Sequence, residues 1–122
     1  DPQNAAYFQQ LGFLRAREGD LSAAEDSFRQ AIRITPQRAA GYRALAKLYL
    51  NTGQKTEAAR RLSATAVKLE PVADSYFVLS WSNAKSGRMQ EALAAIERAL
   101  RLAPENATYR QLYEAIKEPR PQ

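Results

Sequence analysis

The chain has 122 residues, enough for one compact unit and too few for two ordinary domains. Its formal net charge is +5, from 18 basic and 13 acidic residues spread through every segment. Histidine and cysteine are absent, which excludes a disulfide framework, a zinc site of the usual kind and a His-based catalytic triad. No apolar run is long enough to cross a bilayer, and the start carries no signal-peptide pattern.

The first elements set a grammar that the rest of the chain repeats. Phe8, Leu11, Gly12 and Leu14 are apolar or small at helical spacing, and Gly19 supplies the left-handed residue that ends such a helix. A second amphipathic run follows through Ala23, Ala24, Ser27, Phe28, Ala31 and Ile32. Pro36 stops it, because proline biases its predecessor away from the helical region. The same order recurs over Tyr42–Gly53–Pro71 and over Tyr76–Gly87–Pro104. Glu105 to Lys117 then reads as one further helix, with Asn106 as its N-cap and Ala107, Leu112, Ala115 and Ile116 as its apolar side. Arg110, Glu114 and Lys117 give it a polar outer face. Pro119 and Pro121 stop the chain in an extended tail.

A fixed period underlies this grammar. Leu11, Leu45 and Leu79 fall 34 apart, as do Gly19, Gly53 and Gly87, and Ala24, Ala58 and Ala92, and Phe28, Leu62 and Ile96. Gly12, Ala46 and Ser80 form another column of small residues, where two helices of a hairpin can approach closely. The second unit carries one extra residue between Leu62 and Ala66. A helix one residue longer accounts for it, with a π-bulge as the alternative.

These residues resemble the tetratricopeptide repeat family over nearly the whole chain. The first unit carries Phe8, Leu11, Gly12, Ala24, Phe28, Ala31 and Pro36. The second carries Tyr42, Leu45, Ala46, Tyr49, Ala58, Leu62, Ala66 and Pro71. The third carries Tyr76, Leu79, Ser80, Ala92, Ile96, Ala99 and Pro104. Arg15 and Asn83 depart from the family's usual tyrosine. The resemblance implies an all-α, right-handed α-solenoid of three helix-turn-helix repeats, near 5–38, 39–72 and 73–106, in a single domain spanning 1–122. A capping helix near 106–117 and a tail at 118–122 complete it. Asp1-Pro2-Gln3-Asn4 resembles a junction between repeats, so further repeats are expected upstream, while the capping helix suggests a natural C-terminus. The chain also lacks an initiator methionine, as a fragment would.

In this family the first helix of each repeat lines a concave face. The resemblance therefore assigns partner binding to Gln9, Arg43 and Phe77 in one column, Phe13, Lys47 and Trp81 in a second, and Arg17, Asn51 and Lys85 in a third, with Ala6, Ala40 and Asp74 on the outer turn. Aromatics expected to be exposed, Phe13 and Trp81 flanking Lys47 with Phe77 and Arg43 one turn away, point to a protein or peptide partner with apolar anchors and acidic neighbours. The competing reading packs Trp81 and Phe77 against the capping helix, near Leu112 or Ala115. Chaperone-docking members hold a terminal carboxylate at the positions of Gln9, Phe13, Ala44, Asp74 and Val78. None of these matches, so no carboxylate clamp is expected. The module reads as a scaffold or adaptor, soluble and without an assigned compartment. No cofactor, metal or nucleic-acid partner is expected.

Two further expectations complete the reading. No phosphate-binding glycine motif is present, and the adjacent acids Glu25 and Asp26 read as a solvated helix face rather than catalytic groups. The alternative function is a structural spacer or self-association segment of a longer array. In that case Tyr7, Leu11 and Leu14 at the first repeat's edge would pair two chains.

Overall fold

The computed structural model describes residues 4–118; the expectations placed on Asp1, Pro2, Gln3, Pro119 and Pro121 lie outside them. The described residues form seven α-helices and no strand. They are α1 (Ala5–Arg17), α2 (Leu21–Ile34), α3 (Ala39–Thr52), α4 (Thr56–Leu69), α5 (Ala73–Lys85), α6 (Met89–Leu102) and α7 (Ala107–Lys117). Local chemistry sets their ends. Asn4, Asp20 and Asn106 cap α1, α2 and α7 by accepting backbone N–H groups with their side chains. Gly19, Gly53 and Gly87 all adopt positive φ after the first helix of a pair. That conformation lets the next N–H turn back, as Asp20 N does to Arg15 O at 2.9 Å and Arg88 N to Asn83 O at 2.8 Å.

The helices pair as α1–α2, α3–α4 and α5–α6, and each hairpin's second helix packs on the first helix of the next. First helices also touch in series, α1 to α3, α3 to α5 and α5 to α7. The fold is thus an all-α solenoid of three hairpins closed by α7. One buried cluster joins the first two hairpins to α5 through Phe28, Leu45, Leu48, Tyr49 and Val78. A second joins α5 and α6 to α7 through Ala92, Ile96, Ala99, Tyr109 and Ile116.

The small column across each hairpin is solved differently in each unit. At Gly12 an added Cβ would lie 2.4 Å from the Phe28 ring, so only glycine admits that phenylalanine. Ala46 is fully buried in the second hairpin. In the third, Ser80 is fully buried and its hydroxyl donates across the hairpin to the carbonyl of Ala92 at 2.7 Å.

The second unit corrects the sequence reading. Its α4 is neither longer than its counterparts nor bulged: α2, α4 and α6 each have 14 residues. The extra residue sits before the helix, at Lys55, the one non-glycine residue with positive φ (54°) among those described. α4 therefore starts one residue late. The turn after it is one residue shorter than its counterparts, and the first helices still begin 34 apart, at Ala5, Ala39, Ala73 and Ala107. Consequently Ala59, not Ala58, takes the fully buried place of Ala24 and Ala92, and Ser63, not Leu62, takes that of Phe28 and Ile96. The adjacent alanines 58 and 59 hid this shift, because either satisfies a requirement for a small residue.

Candidate functional site

The serial contact of α1, α3 and α5 places the sequence-predicted residues along one wall of helices, but not as a uniform surface. In the first hairpin, Phe13 is 50% exposed and its ring packs edge-on against Phe28, with centroids 5.2 Å apart. Gln9 is half-buried. Arg17, Asn51 and Lys85 are exposed at the ends of their helices.

The middle of the wall is organised by Asp74, at the start of α5. Lys47 donates to its Oδ2 at 2.9 Å, and Arg43 Nε lies 3.7 Å from the same oxygen. Arg43 also donates to Ser75 Oγ at 3.0 Å and lies 3.9 Å from Glu70. From the other side, the Tyr109 hydroxyl of α7 donates to Asp74 Oδ1 at 3.2 Å. Burial, reinforced by the Asp74 charge, pushes the Tyr109 hydroxyl up to about 12, so it remains a donor. The two cations expected to greet an acidic partner thus already hold an internal carboxylate. Sequence reasoning set Asp74 aside on the outer turn and missed Tyr109 and Ser75. The 34-residue columns offered a signal, since they place Asp74 one turn before Val78 on the helix facing Lys47.

The aromatic end divides between the two sequence readings. Phe77 is half-buried and stacks on Tyr109, with centroids 5.0 Å apart and planes at 28°, so it does pack against the closing helix. Trp81 lies 6.0 Å from Phe77 and is only partly buried. Phe77, Trp81 and Leu112, with Thr108 and Gln111, line an open cleft of about 250 Å³. Ala115 is exposed and takes no part. Of the carboxylate-holding positions carried over by resemblance, Ala44 and Val78 are buried and reach no surface.

A second polar cluster lies where the first two hairpins meet. The Tyr49 hydroxyl donates to Glu25, Arg29 donates to the same hydroxyl at 2.9 Å, and Arg29 and Lys55 pair with Glu25 at 3.1 and 3.2 Å. The Lys55 ammonium also sits 5.2 Å from the centre of the Tyr49 ring. The hydrogen bond from Tyr49, joined by those from Arg29 and Lys55, holds the Glu25 carboxyl down at about 2 against the opposing effect of burial. Glu25 is therefore not part of a solvated face, as the sequence suggested. It is a junction residue, and only Asp26 is exposed. No helix among the described residues is long and apolar enough to cross a membrane.

Hairpins stacked in series, with their first helices forming one continuous wall, define the class: an α-helical repeat domain. Family models described as "Tetratricopeptide repeat" match residues 43–107 and 15–68, and the chain belongs to the tetratricopeptide repeat family, a protein-interaction fold. Among solved structures it is similar to the first TPR domain of human RPAP3, at TM-score 0.89 and 20% identity, covering 97% of this chain and 93% of that one. It is also similar to the first TPR of Spaghetti (RPAP3) bound to the HSP90 peptide SRMEEVD, at TM-score 0.88 and 21% identity, covering 97% and 96%. The TPR domain of Arabidopsis OM64 matches at TM-score 0.84 and 18% identity, covering 95% and 96%. No curated protein sequence matches the chain.

Proposed function

We propose that this chain is a protein-interaction module of scaffold or adaptor type, acting as one domain, that binds a peptide or protein segment along the wall of first helices. The observation that carries the reading is the cleft of Phe77, Trp81 and Leu112 beside the Lys47–Asp74–Arg43 cluster. An apolar side chain of the ligand fills the cleft, and large aromatics in such positions dominate binding energy. Gln9, Phe13 and Arg17 extend the surface at one end, and Asn51 and Lys85 frame it near the helix C-termini.

Asp74 tempers the preference for acidic ligands. A ligand carboxylate has to compete with a tethered one for Lys47 and Arg43, and it meets Asp74 as a like charge. With Ala44 and Val78 buried, this favours an internal segment with apolar anchors over a chaperone-type C-terminal carboxylate. The similar structure bound to an HSP90 peptide makes that peptide, SRMEEVD, the natural comparison ligand.

Trp81 is the sole tryptophan, so its fluorescence reports directly on the cleft. Peptides selected by display on the wild type should shift Trp81 emission. They should lose at least tenfold in affinity to a Lys47→Glu variant and be lost from selections on Trp81→Ala/Lys47→Glu. If both proteins enrich the same peptides, the wall is not the binding surface. A second reading, a spacer or self-associating segment of a longer array, draws on the exposed apolar residues Tyr7 and Leu14.

A further inference from the structure

The extra residue of the second unit sets one groove of the molecule apart. α2 and α4 both pack on α3 and do not touch each other, so a groove runs between them with α3 as its floor. Inside it lies a cleft of about 270 Å³. Leu45 and Tyr49, one turn apart on α3, form its floor, and Ala58 and Leu62 of α4 line one side. Leu62 is the seventh residue of α4, and the seventh residues of α2 and α6 are Ser27 and Ala95, both small and buried. The displacement of α4 thus puts a half-buried leucine where the other second helices have a small side chain.

Cations ring this apolar patch. Arg29 enters from α2, Arg61 from α4 and Lys55 from the turn before α4. Arg29 and Lys55 share Glu25, yet their side chains are 59% and 54% exposed. Arg61 is exposed and pairs with no carboxylate among the described residues. The one acid of α4, Glu57, is held by Arg60. Three cations therefore face the single carboxylate of Glu25. The groove between α4 and α6 differs, because Ala64 and Ala94 take the places of Arg29 and Arg61 there, and the buried Asn83 takes that of Tyr49. On the wall of first helices, Lys47 and Arg43 already hold Asp74.

We infer that the α2–α4 groove is a second binding surface, for an acidic segment of a partner protein. One apolar side chain of that segment rests on Leu45, Tyr49 and Leu62, and its carboxylates meet Arg29, Lys55 and Arg61. The cleft falls below the roughly 300–1,000 Å³ of pockets that enclose small molecules, and it opens along the groove, which suits a side chain of a longer polymer. Apolar contact supplies the affinity, and the uncompensated cations select the sign of the ligand. Floor and sides belong to the first two hairpins. A hairpin stacked at either end of the domain would pack on α1 or α7 and leave the groove open.

The test is fluorescence anisotropy of labelled peptides added to the whole chain. A peptide of glutamates around one central leucine should bind saturably below about 1 mM. Exchanging its leucine for alanine, or its glutamates for glutamine, should weaken binding about tenfold. Arg61→Glu should also weaken it about tenfold, whereas Arg101→Glu, the same charge change at an exposed residue of α6, should alter it less than about twofold. Absence of saturable binding overturns the proposal. So does an equal loss in both variants, which would mean attraction to net charge alone, and so does indifference to the leucine. Oligouridine that binds with the Arg61 dependence, where the peptide does not bind, would assign the groove to nucleic acid and overturn it as well. Methyl NMR on the wild type covers the case in which Arg61→Glu does not fold. The Leu45 and Leu62 signals should shift on peptide addition while Trp81 emission stays constant, so the groove and the wall can each fail alone. Silent leucines with a shift in Trp81 emission would put the peptide on the wall and overturn the proposal.

Discussion

The first and second hairpins place their large buried side chains on different helices. In the first, the second helix supplies the bulk, Phe28, and the first helix yields with Gly12. In the second, α4 yields with Ala59, Ser63 and Ala66, and α3 supplies the bulk through Leu45, Leu48, Tyr49 and Leu50. The third lies between, with Ile96 opposite Ser80. What recurs is a small residue on the first helix, Gly12, Ala46 or Ser80, while the residue opposite it ranges from Phe28 and Ile96 to Ser63.

The largest effect should come from removing the bulk where the partner cannot respond. Phe28→Ala should cost about 3–5 kcal/mol in urea unfolding, since Gly12 has no side chain to relax into the cavity. Adding Gly12→Leu to that variant should recover part of the loss. On its own Gly12→Leu should destabilise, and if it does not, the packing account of this hairpin is wrong.

The polar junctions sharpen the comparison at the next level. The first two hairpins are joined by Glu25, whose folded-state value of about 2 lies below its ordinary 4.5. A depressed carboxyl contributes stability above its unfolded value and loses it as pH falls through the folded one. Acid titration from pH 4.5 toward 2 should therefore cost the wild type about 2 kcal/mol more than Glu25→Gln. Equal acid sensitivity of the two proteins would remove Glu25 from the account.

The second and third hairpins are joined instead by buried hydroxyls. Ser63 and Ser82 lie 2.8 Å apart, while Ser63 also reaches Ala59 O at 2.6 Å and Ser82 reaches Val78 O at 2.9 Å. Two protons cannot serve three contacts fully. Each single change to alanine should cost about 1 kcal/mol, and the double variant should cost less than the sum.

The smallest effect on stability falls at the wall. Asp74→Ala should change stability by less than about 1 kcal/mol, because the Lys47–Asp74 pair is partly exposed. Its effect should appear in binding, as a severalfold gain for peptides ending in a carboxylate, measured by Trp81 fluorescence. No gain would mean that Asp74 does not set ligand charge.

Much of the fold is legible in the sequence because every structural requirement is stated three times. Glycine after each first helix, proline after each second one and leucine at Leu11, Leu45 and Leu79 reinforce one another across the period. The register of α4 is not legible, because Ala58 and Ala59 are interchangeable on paper and only burial separates them. The wall residues are implied by the family resemblance, but their state is not. Asp74 meets Lys47 and Tyr109 across 27 and 35 residues of chain, through side-chain geometry that columns do not carry. The same holds for Glu25, which looks solvated until Tyr49 is brought over it.

The displacement of α4 has a consequence for how such a protein changes over time. One residue is gained at Lys55 and one is lost in the turn before Ala73, so the frame is restored before the next first helix begins. The outer layer can thus be edited by paired insertion and deletion while the inner layer keeps its step. The first and second helices of the hairpins are, to that extent, separately inheritable parts of one continuous chain.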